Sequence, residues 1–336
     1  MPLRLSILDQ SPIVSGSTPA DALRATIELA RRAEALGYHR YWLAEHHNMR
    51  GLADPSPEIL LGQIAAATNR MRVGTGGVLL PYYSPLKVAE VFRMYENLYP
   101  GRIDLGIGRA PGGDRMTANA MNPRAFDDMD GFPRQVMDVV GWLDRSLPED
   151  HPFALVQAMP TGISSPEVWL LGSSDYSGAL SAYLGLRFAF AHFINAQGGD
   201  AVNRAYRKDF RPSARESTAY SMVCVFALCA ETGLEAERLA SSIDLRRLQM
   251  ATGRESVIAS VAEAQAYPYS DRDRQIIQRE RERAVIGTPD QVKARLLEIA
   301  GAFATDELMI ITITGDYASR MRSYELLATE FGLGNN

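Results

Sequence analysis

Short β-rich apolar runs alternate with longer stretches of helical period along almost the whole 336-residue chain, and no other feature restricts the fold as much. Each run followed by a helical stretch is a βα unit, and successive units lay strands side by side in parallel under a cover of helices. The runs are LRLSIL (3–8), RYWLAE (40–45), RVGTGGVLL (72–80), IDLGIG (103–108), VWLLG (168–172), RFAFAHF (187–193), YSMVCVFAL (220–228) and LMIITIT (308–314). Eight strands separated by helices are the element count of an α/β fold of the (β/α)8 TIM-barrel type. A doubly wound sheet is the alternative, but it usually has fewer strands, and no Rossmann fingerprint is visible.

The helical stretches carry their own start and stop signals. TPADALRATIELARRAEALGY places Thr18 as N-cap, Pro19 in the first turn and Gly37 at the stop, and SPEILLGQIAAATNRM and SPLKVAEVFRMYENLYPG repeat the Ser-Pro opening. Two stretches exceed ordinary connections: 109–130, rich in Gly, Pro, Asn and Asp, and an inserted helical segment at about 230–306, between the seventh and eighth strands. The reading is one domain over 1–336 carrying that insertion. The mixed charges of SDRDRQIIQRERERA (270–284) fit a solvated helix face, with a partner site as the alternative.

Composition narrows the function. Hydrophobic residues are 46% and charged residues 22%, as in an ordinary globular protein, and the net charge of −5 argues against a general nucleic-acid binder. Cys224 and Cys229 lie five apart in one strand, so they face opposite sides and cannot bridge; a reducing compartment follows, and a cytoplasmic location is expected. No run approaches the ~18 apolar residues of a membrane helix, so no membrane partner is expected.

In such a barrel the residues just after each strand form the active site. The second run ends in Glu45, His46, His47 and Asn48. Alternation sends the two histidines to opposite sides, and zinc would need three or four ligands, so no metal is expected. A catalytic or ligand-contacting imidazole and a structural polar strand end both remain. In the third run, Gly74, Gly76 and Gly77 fit either a ligand lying close on bare backbone or a barrel bend. Arg109, after the fourth run, can fork onto phosphate or carboxylate, or serve a structural ion pair. GIGRAPGGD spaces its glycines one residue too long for a dinucleotide loop. Ser173, Ser174 and Ser177 surround the helix opening after the fifth run. N-capping needs only one of them, and together with Arg109 they make a phosphate cradle the better reading.

RYWLAEHHN, RVGTGGVLLPYYSPLKVAE and GRIDLGIGRAPGGD, in this order and spacing, resemble the bacterial luciferase-like flavin monooxygenases, particularly a single-subunit branch opening LDQSPI. GTPDQVKARLLEIA (287–300) extends the resemblance over almost the whole chain. The resemblance implies a barrel that binds reduced FMN, or deazaflavin F420 in related branches, at the strand C-terminal ends. His46 matches the family's active-site histidine and Glu45 its neighbour. Gly76–Gly77 matches a non-prolyl cis peptide against the isoalloxazine ring, and Arg109, Ser173, Ser174 and Ser177 match the phosphate-binding positions. Two positions depart: Gly108 stands where the light-emitting subunit has a reactive cysteine, and Ser173 where it has a glutamate. Long-chain aldehyde chemistry and light emission are therefore not carried over.

The activity implied is that of an FMNH2-dependent monooxygenase: reduced FMN and O2, through a C4a-peroxyflavin, oxygenate a small organic substrate. Phe190, Phe193 and Tyr82 point to a moderately hydrophobic ligand, though core packing explains them equally well. With no nicotinamide fingerprint in the chain, reduced FMN is expected from a separate NAD(P)H:flavin reductase. The alternatives are an F420-dependent hydride-transfer oxidoreductase and a flavin-binding protein without turnover. The family also implies a homodimer, and 109–130 and the segment before GTPDQV are candidate lids.

Overall fold

A computed structural model of the chain describes residues 3–334, apart from residues 126, 128, 163 and 255. Its strands are β1 (Arg4–Asp9), β2 (Arg40–Leu43), β3 (Arg72–Leu79), β4 (Ile103–Gly108), β5 (Glu167–Gly172), β6 (Arg187–Ala191), β7 (Ser221–Cys229), β8 (Ala284–Gly287) and β9 (Glu307–Ile311). Strands β1 to β7 pair in parallel in chain order, and β9 pairs with both β7 and β1, which closes eight strands into a ring. The chain is a (β/α)8 TIM barrel. All eight runs seen in the sequence contribute to the ring, the last of them as β9. Strand β8 pairs with β7 at Phe226–Cys229 and lies inside the inserted segment, where its four residues give too short a signal to stand out between helices.

The helices are α1 (Pro19–Leu36), α2 (Pro57–Ala67), α3 (Pro85–Leu98), α4 (Arg115–Met121), α5 (Phe132–Asp144), α6 (Asp175–Leu184), α7 (Gly199–Asp209), α8 (Gly233–Ala251), α9 (Val261–Ala266), α10 (Asp271–Arg281), α11 (Pro289–Phe303) and α12 (Tyr317–Phe331). Helix α1 starts and stops where its sequence says. Thr18 and Asp21 form a reciprocal capping box, and Gly37 closes the helix at φ +90°, a conformation that favours glycine. Among the described residues no helix is long and apolar enough to cross a membrane.

Strand alternation builds two apolar layers. Tyr41, Leu43, Val73, Leu105 and Phe188 point out against the helices, whereas Leu8, Trp42, Trp169, Met222, Phe226 and Met309 point into the ring. Trp42 and Trp169, both fully buried, meet edge to face with centroids 5.3 Å apart, a geometry worth about 0.5–1.5 kcal/mol beyond area burial. The cysteines follow the same rule: Cys224 faces in, Cys229 faces out, and both are free thiols.

The N-terminal ends of the strands are closed by an ionic floor. The Arg40 guanidinium, 1% exposed, donates Nε–H to Glu307 (2.6 Å) and Nη1–H to Asp104 (2.7 Å). Asp104 also accepts from Arg72 Nε (2.9 Å) and Trp42 Nε1 (2.9 Å), while Glu307 accepts from Ser6 Oγ (2.6 Å) and Tyr220 Oη (2.7 Å). Burial alone would raise the pKa values of these two carboxyls. The facing arginines reverse this and hold both below the usual range.

Candidate active site at the barrel mouth

The strands are buried along most of their length, so the first partly exposed positions toward their C-terminal ends outline the mouth. They include His46 beyond β2, Gly76 in β3, Arg109 after β4, Leu171, Gly172 and Ser173 at the end of β5, and Ala191 closing β6. Within β3 only Arg72, at its start, and Gly76 are partly exposed.

Strand β2 ends at Leu43, yet the alternation continues past it. Trp42 and Ala44 belong to the interior cluster, and His46 continues on that side. Its ring Nδ1 is buried without a hydrogen-bond partner, and its backbone N–H reaches the Asp54 carbonyl at 3.4 Å. Burial first, opposed by the polar Ala44 backbone nearby and reinforced by the charges of Arg246 and His47, depresses the imidazole pKa to about 4. At neutral pH this ring is an uncharged base with one unused nitrogen.

Glu45 turns the other way, toward His47 rather than His46. One carboxylate oxygen accepts from Tyr83 Oη (2.7 Å) and lies 2.7 Å from His47 Nε2, and the other accepts the Leu79 N–H (2.8 Å). The link to Leu79 ties the end of β2 to the end of β3, so Glu45 braces the wall on which His46 stands. His47 N–H in turn donates to the Gly112 carbonyl (2.9 Å), and Asn48 Nδ2 reaches Asp114 (3.1 Å), the N-cap of α4. These bonds dock the start of the long segment after β4 onto the rim. Of the proposed lid 109–130, residues 126 and 128 lie outside the described residues.

Gly76–Gly77 is a cis peptide, and the β3–β4 register shifts between Gly76 and Val78. The wall itself accounts for both glycines. A Cβ on Gly76 would meet Leu8 Cδ1 and Trp42 Cε3 at 2.9 Å, and one on Gly77 would meet the Gly106 carbonyl oxygen at 2.7 Å. The bend and the exposed backbone at Gly76 therefore coexist, although the sequence offered them as alternatives.

Arg109 forms no ion pair among the described residues; its guanidinium lies 4.0 Å from the centroid of the Tyr176 ring in the first turn of α6. Ser174 is the N-cap of α6 with no side-chain cap bond, and the hydroxyls of Ser173, Ser174 and Ser177 have no hydrogen-bond partner among the described residues. Ser177 folds back against Gly172, where any Cβ would collide with it. The geometry thus gathers the arginine, through Tyr176, at the same helix end as the serines. Asp175 takes the Tyr176 N–H (2.8 Å), so one of the free donors of that end is already used.

Several polar groups at the mouth escaped the sequence reading. Asp54 is buried; Oδ1 accepts the Ser56 N–H (3.1 Å), while Oδ2 has no partner. Burial raises its pKa to about 7, with the negative neighbours Asp9, Glu58 and Glu45 adding to the effect. Two adjacent arginines of α8, Arg246 and Arg247, are also buried within the insertion. Asp54 sits in LADPSP, which reads as an ordinary turn, and the arginines in IDLRRLQM, which reads as a surface helix. A charged pair inside an otherwise apolar helical stretch was the only available signal. Conversely, Phe190 packs outward against Phe303, because β6 turns Ala189 to the interior instead. Tyr82 donates to the Pro111 carbonyl (2.6 Å) and meets the His47 ring edge-on. Among the described residues no three potential metal ligands are grouped together.

Comparison with known proteins agrees with this geometry. The family described as luciferase-like monooxygenase matches residues 3–306. The protein designated YceB of Bacillus subtilis (strain 168) is 46% identical over 329 residues, spanning 98% of this chain and 99% of its own. The N-acetyl-S-alkylcysteine monooxygenase of the same organism is 36% identical over 329 residues, spanning 97% of each chain. Among solved structures, that of apo-MsnO8 superposes with a TM-score of 0.90 at 38% identity, covering 99% of this chain and 98% of the other. The chain belongs to the luciferase-like monooxygenase family.

Proposed function

We propose that the protein is a monooxygenase that uses reduced FMN and O2 to oxygenate a small organic substrate at the barrel mouth. The observation that carries this reading is the neutral, partly exposed His46 with a buried, unused Nδ1, set in the same mouth as an arginine without an ion pair and three serine hydroxyls without a partner among the described residues.

The residues fit the flavin. Arg109 and the α6 end would hold its phosphate through charge-assisted bonds, and the open backbone at Gly76 would carry the ring. When bound, reduced FMN supplies the electrons that activate O2; the chain's tasks are to orient the ring, exclude water and manage protons. His46, low in pKa and uncharged, would accept or share a proton at Nδ1 without bringing a positive charge into the mouth. Glu45 would keep the rim in place through Leu79 and Tyr83.

A separate NAD(P)H:flavin reductase would supply the reduced flavin, and the barrel helices would pair two copies of the chain. The decisive measurement mixes the anaerobically reduced FMN-loaded protein with O2 and follows the absorbance. Oxidised flavin should return far more slowly than from free reduced FMN. Return at the rate of free flavin would sink the reading, and reduced F420 binding in place of reduced FMN would replace it with hydride transfer. Rapid NADPH oxidation by the purified protein with added FMN would remove the reductase from the scheme.

A further inference from the structure

Helix α8 lies over the barrel interior and is buried along one unbroken stretch from Ser242 to Leu248. In that stretch stand Arg246 and Arg247. Burying a charge is unfavourable by several kcal/mol unless a partner offsets it, so two consecutive buried arginines call for a reason. Arg246 has a structural one: its Nη1 donates to the Ser256 carbonyl (2.6 Å), tying the insertion together beside Gly51.

Arg247 is different. Its guanidinium carbon lies 4.6 Å from the ring centroid of Phe226, an interior side chain of β7, and its one hydrogen bond among the described residues runs from Nη1 to the Glu280 carbonyl (3.1 Å). No carboxylate forms an ion pair with it among the described residues. Asp244 is engaged by Arg281, and Glu280 by Arg283. The like charge of Arg283 adds to that of Arg247, and Arg283 reaches across to the Ile194 carbonyl beyond β6 (2.7 Å). Where the insertion covers the β6–β7 side of the mouth, Arg281 and Arg283 are thus each matched by carboxylates, and Arg247 is the arginine left without an ion pair among the described residues. The proposed flavin phosphate site lies elsewhere on the rim, after β4 and β5.

We infer that Arg247 receives the carboxylate of an anionic substrate, so that the enzyme oxygenates small organic acids rather than neutral apolar compounds. Phe226 and the interior cluster would take the apolar part of such a molecule while the guanidinium forks onto its carboxylate. The inference rests on the monooxygenase reading above and adds the substrate class to it.

The test measures calorimetric binding of N-acetyl-S-methylcysteine and of its uncharged carboxamide to the full-length FMN-loaded protein. The carboxylate should bind roughly tenfold tighter or better, the usual scale of one charge-assisted pair. In Arg247→Gln that preference should fall to about one while FMN affinity stays unchanged. Equal binding of the two compounds, no binding of either, or a preference that survives Arg247→Gln would overturn the inference. Should Arg247→Gln fail to fold, Arg247→Lys decides: a reduced preference supports the guanidinium fork, and an unchanged one refutes it. Reduced FMN is titrated separately; its failure to bind the unmodified protein would undo the monooxygenase reading, whereas normal binding confines any failure to the substrate class.

Discussion

The two ends of the barrel treat buried charge in opposite ways. At the floor, Arg40, Asp104 and Glu307 are almost wholly enclosed, and each has several partners at 2.6–2.9 Å. At the mouth, His46 Nδ1 and Asp54 Oδ2 are buried with no partner, and Arg109 and Arg247 have no carboxylate paired to them among the described residues. The floor uses its charged groups to fix the strands, while the mouth leaves charged and titratable groups unsatisfied at a cost to stability that a ligand would offset.

The comparison can be broken from either end. Arg40→Met should have the largest effect: it leaves the buried Glu307 without its arginine and removes one of the two arginines on Asp104, and stability in urea should fall by about 3–5 kcal/mol. A loss below about 1 kcal/mol would mean that the floor is not what holds the ring. His46→Ala should leave stability unchanged or slightly improved, yet lower the yield of oxygenated product by roughly 10²–10⁴-fold, with FMN affinity little altered. Loss of FMN binding with normal chemistry would move His46 from proton handling to cofactor binding. Arg109→Ala should weaken FMN retention by about 1.5–3 kcal/mol, read by equilibrium dialysis; unchanged retention would remove it from the phosphate site.

A further effect is a pH dependence. Asp54 has a raised pKa in the folded protein, near 7, so the native state keeps a proton that the unfolded chain releases above its ordinary carboxylate range. Its stabilising contribution is full below about pH 4 and is lost as pH rises through 7, with a slope of up to about 1.4 kcal/mol per pH unit. Asp54→Asn should flatten stability across that window and leave the protein more stable at pH 7. His46, with a depressed pKa, acts in the opposite direction, since its contribution is lost as pH falls from about 6.5 through 4. Identical pH profiles for Asp54→Asn and the unmodified protein would show that Asp54 ionises normally.

The fold was legible because the interior and exterior of a barrel strand alternate with period two, and nearly every strand announced itself as a β-rich run. Only β8, four residues between helices, did not. At the site, position along the strands pointed to His46, Gly76, Arg109 and the serines, since a strand's end is a local property. Partnership was not legible. That Glu45 serves Tyr83 and Leu79, or that α8 carries Arg247 over Phe226, depends on contacts between residues 34 and 38 positions apart in the first case and about twenty in the second. Phe190 shows the same limit from the other side, since an aromatic near a strand end faces the helices when its parity is wrong.

One side chain belongs to both ends. Trp42 donates from Nε1 to Asp104 in the floor, and its ring stands directly behind the Gly76 backbone in the mouth. The level and tilt of the surface on which a planar ligand would lie are thus referenced to a bond at the far end of the molecule. A flavin resting there would act as a gauge of the foundations, its colour shifting when a residue it never touches is disturbed.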